Sequence, residues 1–503
     1  MAAASPGHVR ALAGHFGVYV IGSLLSLVCS VALLPIYASQ FSPAQFGFLA
    51  MGQLVAFAAV GIVRAGIHIG MFRFLVVYHA NGDAKSANAI VTSSLAATIA
   101  VAIIAAIAAG AALQAFGARF FGQELALLGQ VIALNMVFSA PREVAELALR
   151  AKQRPVGYVG LSSSFLLLST ALTALFIVGF HGGVTSVFVA TLIANGLTSV
   201  IAIVAVSENL ALNAFSSRQL LKALRFGLPS VPALFADWVT QYSDRLFLTR
   251  FAGLAQVGVY SFGYRIGLIE QQVLGTASQA AWDPFVLRTY GGSDGATVIG
   301  RVATYFALAG MAIAILLSSA APSIMLLGHA RREYSAATTI VFLIALANFF
   351  GLMQYLFLAP TSIALRPEFG TLLRGVAAAI NVALNFWLIS KYGMLGAAWA
   401  TLLTFLVSAV LTQMVGRRLW RIAFEWRRLA TIVLMGLVTQ EFVSLAQSYG
   451  LLSPPGMLTA ASEGIFGILI VGGGFFSRHQ LRQLPQLVRR LVRTTQIHPS
   501  KFD

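Results

Sequence analysis

Apolar runs of about 20 residues return again and again along the chain, and each is long enough to cross a hydrocarbon core as a helix. Inside lipid every backbone N–H and C=O must find a partner within the protein, so only helices and closed barrels are available. A barrel would show short segments of alternating hydropathy, and these are absent. The chain therefore reads as an all-α polytopic membrane protein. Composition agrees: 58% of the 503 residues are hydrophobic and only 10% are charged, with mean hydropathy +0.84, whereas a soluble surface needs far more charge.

The spans run 12–38, 45–63, 86–113, 124–147, 155–180, 183–207, 222–250, 256–284, 298–321, 335–359, 370–390, 394–416, 428–448 and 456–476, about 14 in all. Those at 124–147 and 256–284 carry polar residues, which makes them the weakest of the apolar signals. An even count puts both termini on one side. The even-numbered connections hold most of the basic residues: Arg64, Arg73 and Lys85; Arg142, Arg150, Lys152 and Arg154; Arg218 and Lys222; Arg366; and Arg417, Arg418, Arg421, Arg427 and Arg428. Arg119, Arg331, Arg332 and Lys391 are the main exceptions. The positive-inside rule makes both termini cytoplasmic.

A net charge of +17 could signal nucleic acid, but its location in short connections and the tail fits membrane topology instead, so no nucleic-acid partner is expected. The single cysteine, Cys29, lies within the first span, which excludes a disulfide framework. The N-terminus lacks a clear cleavage site, and the apolar run after it is too long for a signal-peptide core, so the first helix is read as retained. In the tail, Leu481, Leu484, Val488, Leu491 and Val492 recur at helical intervals with arginines between them. This reads as an amphipathic helix on anionic lipid or as a plain topological anchor.

The chain also resembles itself at a shift of about 210 residues. HFGVYVIGS (15–23) lies over RFGLPSVPA (225–233). LLPIYASQFSPAQFGF (33–48) lies over LFLTRFAGLAQVGVYS (246–261), matching Ala44-Gln45-x-Gly47 to Ala255-Gln256-x-Gly258. ALTALFIVGFHGGVTSVFVATLI (171–193) lies over ALNFWLISKYGMLGAAWATLL (383–403). Two six-helix lobes follow, 1–210 and 221–420, then two additional helices in 421–480 and the basic tail 481–503. Because six is even, the lobes form a parallel repeat about the membrane normal, an arrangement that places substrate between the halves of alternating-access transporters.

Ionisable groups inside spans are costly and mark candidate sites. Asp237, Gln241 and Asp244 fall on one helical face, with Arg245 adjacent; Arg265, Glu270, Gln271 and Gln272 follow in the next span. At ~1.5 Å per residue, Asp237 lies about 16 Å from Phe226 and Arg265 about 14 Å from Gln256. In a core of roughly 30 Å these are level, which predicts an Asp237–Arg265 contact. That contact is either a buried pair fixing two helices or part of a site. In the latter case Arg245 and Arg265 line a cationic cavity and Asp237 or Asp244 binds a coupling cation. Arg64 and His68 stand four apart at the end of the second span, with His68 most simply a packing residue. Arg142–Glu146 and Glu146–Arg150 have helix-surface pair spacing. Arg374, Asn381 and Asn385 share a face, and asparagine in a membrane helix commonly joins helices.

No GxxxxGK[ST], HExxH, CxxC or GxSxG motif occurs. With no nucleotide-hydrolysing module, cofactor or metal expected, any work is driven by a Na+ or H+ gradient, the membrane potential or the substrate gradient.

LLPIYASQFSPAQFGFLA followed by VGIVRAGIHIGMFRF resembles the start of Wzx-type polysaccharide-biosynthesis flippases. KALRFGLPSVPALFADWVTQYSDRLFLTRFAGLAQVGVYSFGYRIGLI resembles their central signature, in which a basic residue and FGLP lead to a DR pair and a VG-Y turn. AAWDPFVL and INVALNFWLISKYGMLGAAWATL resemble later signatures, so the likeness spans most of the first 415 residues. Ser390 departs from a proline common in the family. The resemblance implies the multidrug/oligosaccharidyl-lipid/polysaccharide (MOP) exporter superfamily, with two bundles around a central cavity. Its Wzx-type members move polyprenyl-diphosphate-linked oligosaccharide across the bacterial inner membrane for lipopolysaccharide, capsule or exopolysaccharide synthesis. The implied partners are that substrate, membrane lipids, and the polysaccharide polymerase and chain-length machinery.

The candidate cationic-cavity residues are Arg64, Arg142, Arg245, Arg265 and Arg374. Only Arg245 sits in a family motif; the rest are physical inferences. Guanidinium groups offer planar bidentate donors to a diphosphate, and a polar cavity replaces hydration that lipid could not. A peptidoglycan-precursor flippase is a close rival. A drug/cation antiporter would favour an acidic cavity instead. A membrane polymerase or ligase would need a sizeable outer loop, and no connection here is long enough, so the chain is not read as an enzyme.

Overall fold

The computed structural model describes residues 6–64, 66–112, 122–210, 212–327, 329–364, 366, 368–449, 455–472 and 475. Among them the chain is helical and no strand occurs. The helices are α1 (Pro6–Gln40), α2 (Pro43–Arg64), α3 (Ile67–Ala80), α4 (Ala84–Ala112), α5 (Gly122–Ala151), α6 (Pro155–Ala174) and α7 (Val184–Ala205). After them come α8 (Ser217–Gly227), α9 (Val231–Phe251), α10 (Gly253–Gly267), α11 (Thr276–Thr289), α12 (Gly295–Leu327), α13 (Thr338–Phe357) and α14 (Ala359–Ile363). The last are α15 (Glu368–Leu419), α16 (Trp426–Ser448) and α17 (Pro455–Gly472).

Among the described residues nine helices are long and apolar enough to cross a membrane. One of them, α15, is two spans joined at Gly393, whose φ of 56° and ψ of −131° break the helix. The helices outside the nine include those with buried charge: α5 holds Arg142, Glu143 and Glu146, and α9 holds Asp237, Asp244 and Arg245. The chain is a multi-pass membrane protein; the expected span 256–284 is broken into α10, the π turn Gln271–Gly275 and α11, and two further expectations are corrected.

The stretch 222–250 is not one helix. Ser216 caps α8 by accepting from the Gln219 amide, and α8 carries Arg218, Lys222 and Arg225 on a helix too polar to span lipid. Pro229 and Pro232 lack the N–H groups that would continue it, so a 3₁₀ turn at Leu228–Ser230 separates α8 from α9. Nor do Arg64 and His68 share one helix. Gly66, at φ 77°, separates α2 from α3, and a Cβ there would lie 2.6 Å from the Gly227 carbonyl carbon. The kink is thus held by direct backbone contact with the end of α8. Residues 481–503, expected to form a basic tail, lie outside the described residues.

Helices α4, α5, α6 and α7 pack on one another, with α1 against α6. In the second half α9, α12 and α13 pack with α15 or each other, and α16 and α17 lie against α12. The two halves meet most closely where α2 runs beside α10. A cluster at the end where α2 begins draws on both halves: Tyr37, Phe46 and Leu49 pack with Phe262, Ile266 and Tyr334.

At the end of the first half, Lys152 and Arg154 each bond Glu208 at 2.9 Å, tying the α5–α6 turn to the segment after α7. The Lys152 hydrogen bond, aided by Arg154, holds the exposed Glu208 carboxyl below the usual carboxylate range. A depressed folded-state value means the clasp stabilises fully above the unfolded carboxylate value and fades as pH falls through the folded one. Glu208→Gln should therefore flatten the acid side of the melting temperature against pH. An unchanged slope would show that the clasp adds nothing, and exposure keeps the expected effect small.

Candidate functional site

The charged residues expected in the spans fall into three environments. Arg142 and Arg245 are locked inside the halves. Arg142 bonds Glu146 at 2.6 Å and Asn195 at 3.1 Å, with its guanidinium 4.0 Å from the centre of the Phe165 ring. Arg245 bonds Asp244 at 3.0 Å and the Gln241 carbonyl at 2.9 Å. Tyr242, Tyr260 and Tyr264 surround it at 4.6–5.8 Å. Asp244 also accepts from the Tyr260 hydroxyl, so its oxygens are engaged. Nearby, Ser243 donates to Asn381, Asn385 donates to Ser243 and Asn381, and Asn381 donates to Thr404. The asparagines are helix-joining groups, as their residue type suggested.

Arg265 lies where the halves join. It donates to Gln53 of α2 and sits 5.5 Å and 5.0 Å from the rings of Tyr37 and Phe46. It also lines a cavity of 360 Å³ with Gln53, Thr170, Thr173 and Thr191.

Arg64 and Arg374 are different. Each is only half-buried, at 46% and 44% side-chain exposure, although both belong to the long helical bundle. Arg64 bonds Glu143 of α5 at 3.0 Å through Nε. Arg374 bonds Asp237 of α9 at 3.2 Å. The expected Asp237–Arg265 contact does not form. The two residues do not stand level: Arg265 meets Gln53, four residues before Phe57 on α2, whereas Asp237 lies five residues beyond the Phe57–Tyr242 contact toward Arg64. Moreover, α9 packs along α15 while α10 packs along α2, so each turns to a different neighbour.

The two half-exposed pairs stand at one level on facing helices. Helices α2 and α9 are antiparallel and touch where Phe57 and Tyr242 stack at 5.0 Å. From there Arg64 lies seven residues along α2 and Asp237 five residues back along α9. At ~1.5 Å per residue these are steps of roughly 10 Å and 8 Å in the same direction. Phe235 and Trp238, ring centres 5.8 Å apart, flank Asp237. Glu143, the partner of Arg64, was visible in the sequence only as one of several charges on α5. The kink at Gly66 and the turn of α5 toward α2 give it its place.

A second feature was not legible in the sequence. A groove of 1010 Å³ runs along α13, α15 and α16, lined by Phe349, Phe357, Leu406 and Val433, with Arg417 and Arg421 among its lining residues.

A family model described as polysaccharide biosynthesis protein matches residues 12–289. Among solved structures, the lipid II flippase MurJ in an inward closed conformation is similar at a TM-score of 0.71 and 12% identity, covering 92% of this chain and 99% of that one. An inward-facing multidrug resistance MATE family transporter of the MOP superfamily is similar at 0.65 and 17% identity, covering 82% and 95%. At such identities the likeness is one of fold. No curated protein matches the chain.

Proposed function

The chain belongs to the polysaccharide biosynthesis protein family, and from that premise we propose that it is a flippase for polyprenyl-diphosphate-linked oligosaccharide. It works in the bacterial inner membrane with both termini in the cytoplasm, and the end where α2 begins faces the periplasm. Transport is by alternating access, with no covalent chemistry on the cargo. The observation that carries this reading is the pair of half-exposed guanidinium–carboxylate contacts, Arg64–Glu143 and Arg374–Asp237, at one level on either side of the Phe57–Tyr242 contact.

Charged side chains are not left half-exposed to lipid, so these pairs are read as facing a polar space between the halves. Each guanidinium spends a single hydrogen bond on its carboxylate and, having five N–H donors, keeps others for a ligand. A diphosphate can then replace the carboxylate as bidentate acceptor without leaving a charge unpaired. Arg265, deeper along the same interface, extends the cationic path. Arg142 and Arg245, held by buried partners, serve as supports. The apolar groove beside Arg417 and Arg421 suits a prenyl chain that remains in lipid while its head group crosses.

Of the two ion-coupling candidates, Asp237 is the accessible one, since Asp244 has its oxygens occupied. Arg64→Ala and Arg374→Ala should each abolish surface polysaccharide while leaving the protein inserted and abundant. Normal export by both variants would sink the cationic-site reading. If Asp237 serves only to pair with Arg374, the charge-swapped D237R/R374D protein should recover export; failure with normal abundance assigns Asp237 a role in coupling.

A further inference from the structure

Glu270 is the most completely buried carboxyl among the described residues, at 1% exposure. Neither carboxyl oxygen has a hydrogen-bond partner there. It lies just beyond α10, at the start of a π-helical turn over Gln271–Gly275; such insertions cluster at functional positions. Among the described residues, the helices packed around it place no cation against its carboxyl. From α12 comes Gly310, where a Cβ would stand 3.2 Å from Glu270 Oε1 and from the Phe349 ring. From α13 come Asn348, Leu352 and Tyr355, and from α15 Phe405. The titratable group in this shell is Tyr355, whose hydroxyl is bonded to Asp283 of α11. Arg265, five residues earlier, is turned away toward Gln53.

An ionised carboxylate with no partner is strongly disfavoured in a low-dielectric interior, so such a group must be neutral or bind a cation. A metal cation would need several converging oxygens. Here, among the described residues, Glu270 is the one carboxylate lining the cavity beside it, and no group of three or more His, Cys, Asp or Glu is placed to hold a metal. Beside the carboxyl is a small cavity of 90 Å³ bordered by Gln271, Ser278, Gln279 and Asn348. It is polar on one side and large enough to admit water.

We infer that Glu270 is a proton-carrying carboxyl. It holds its proton in the conformation described here and releases it to water when rearrangement of the π turn opens the adjoining cavity. The proton moves from a carboxyl oxygen to water and back, with no bond to the cargo, so the chain couples transport to a proton gradient. What the proton drives rests on the flippase reading; the protonation of Glu270 does not.

The full-length protein in liposomes, compared with Glu270→Gln by infrared difference spectroscopy, tests the protonation directly. At neutral pH the wild type should show a protonated-carboxyl carbonyl band that disappears in E270Q. An identical spectrum in both overturns the proposal. Melting temperature in sodium chloride should equal that in choline chloride at the same ionic strength. A sodium-specific rise lost in E270Q would replace the proton by a bound Na+ and also overturn it. In cells, E270Q should lose surface polysaccharide at wild-type abundance while Glu270→Asp retains it, and normal export by E270Q overturns the coupling. If the wild type restores no polysaccharide to a strain lacking the chain, the flippase reading fails while the spectroscopic result stands.

Discussion

Alanine at Gly258 should force α2 and α10 apart and leave the end of the bundle where α2 begins unable to close. A Cβ there would lie 1.8 Å from the Pro43 carbonyl oxygen, and one on Gly47 would lie 2.0 Å from the Leu254 oxygen. These obstacles are backbone atoms, so no side-chain rotation relieves them. Small residues let membrane helices approach at the backbone in this way. Overpacking costs about 1–3 kcal/mol and sometimes more, and a clash this deep belongs at the upper end. If the open state lacks the contact, the cost falls on the closed state alone. A shift of about 2.8 kcal/mol is a hundredfold in population.

The cluster sealed by this contact includes Phe46, Phe262 and Tyr334, with Phe262 and Tyr334 ring centres 5.1 Å apart. Phe46→Cys in a Cys29→Ser background should react slowly with maleimide, and adding G258A should make it react fast. Gly160→Ala is the control. Nothing lies within 4 Å of a Cβ there, and alanine is the better helix former. Equal labelling with and without the G258A change would mean that this junction does not gate the end of the bundle where α2 begins.

Arg245→Met should be among the most destructive single changes in the chain, and through folding rather than cargo binding. It strands Asp244, which is 2% exposed, and empties a space walled by three tyrosines. Breaking a buried pair by removing one partner costs about 3–5 kcal/mol, whereas replacing both charges by apolar or neutral groups is often tolerated. The double variant D244N/R245M should thus melt higher and accumulate better than R245M alone. That ordering is diagnostic. If R245M instead accumulates normally and loses only export, Arg245 belongs with Arg64 and Arg374 in the cavity.

The arginine of the family motif thus stands with the supports, and two arginines outside any motif stand at the candidate site. Sequence could list these residues because charge within an apolar span is conspicuous wherever it occurs. It could not sort them, because burial is set by the helices that surround a residue.

The sequence by itself determined the number and rough limits of the spans, since hydrophobic length must match the bilayer whatever the packing. It also carried the repeat that aligns Gly47 with Gly258, though not the fact that the two copies touch. Distance along one helix follows from counting residues, whereas the level of one helix against another, here Asp237 against Arg265, depends on where the α8–α9 break falls. Azimuth does not follow from counting either: which neighbour a side chain meets depends on how each helix is rotated and where it bends. Gly66, the Leu228–Ser230 turn and the π turn after Glu270 set those rotations, each stabilised by contacts with segments far along the chain. Only the tertiary structure decided that Asp237 meets Arg374, that Arg64 meets Glu143, and that Glu270 meets no partner.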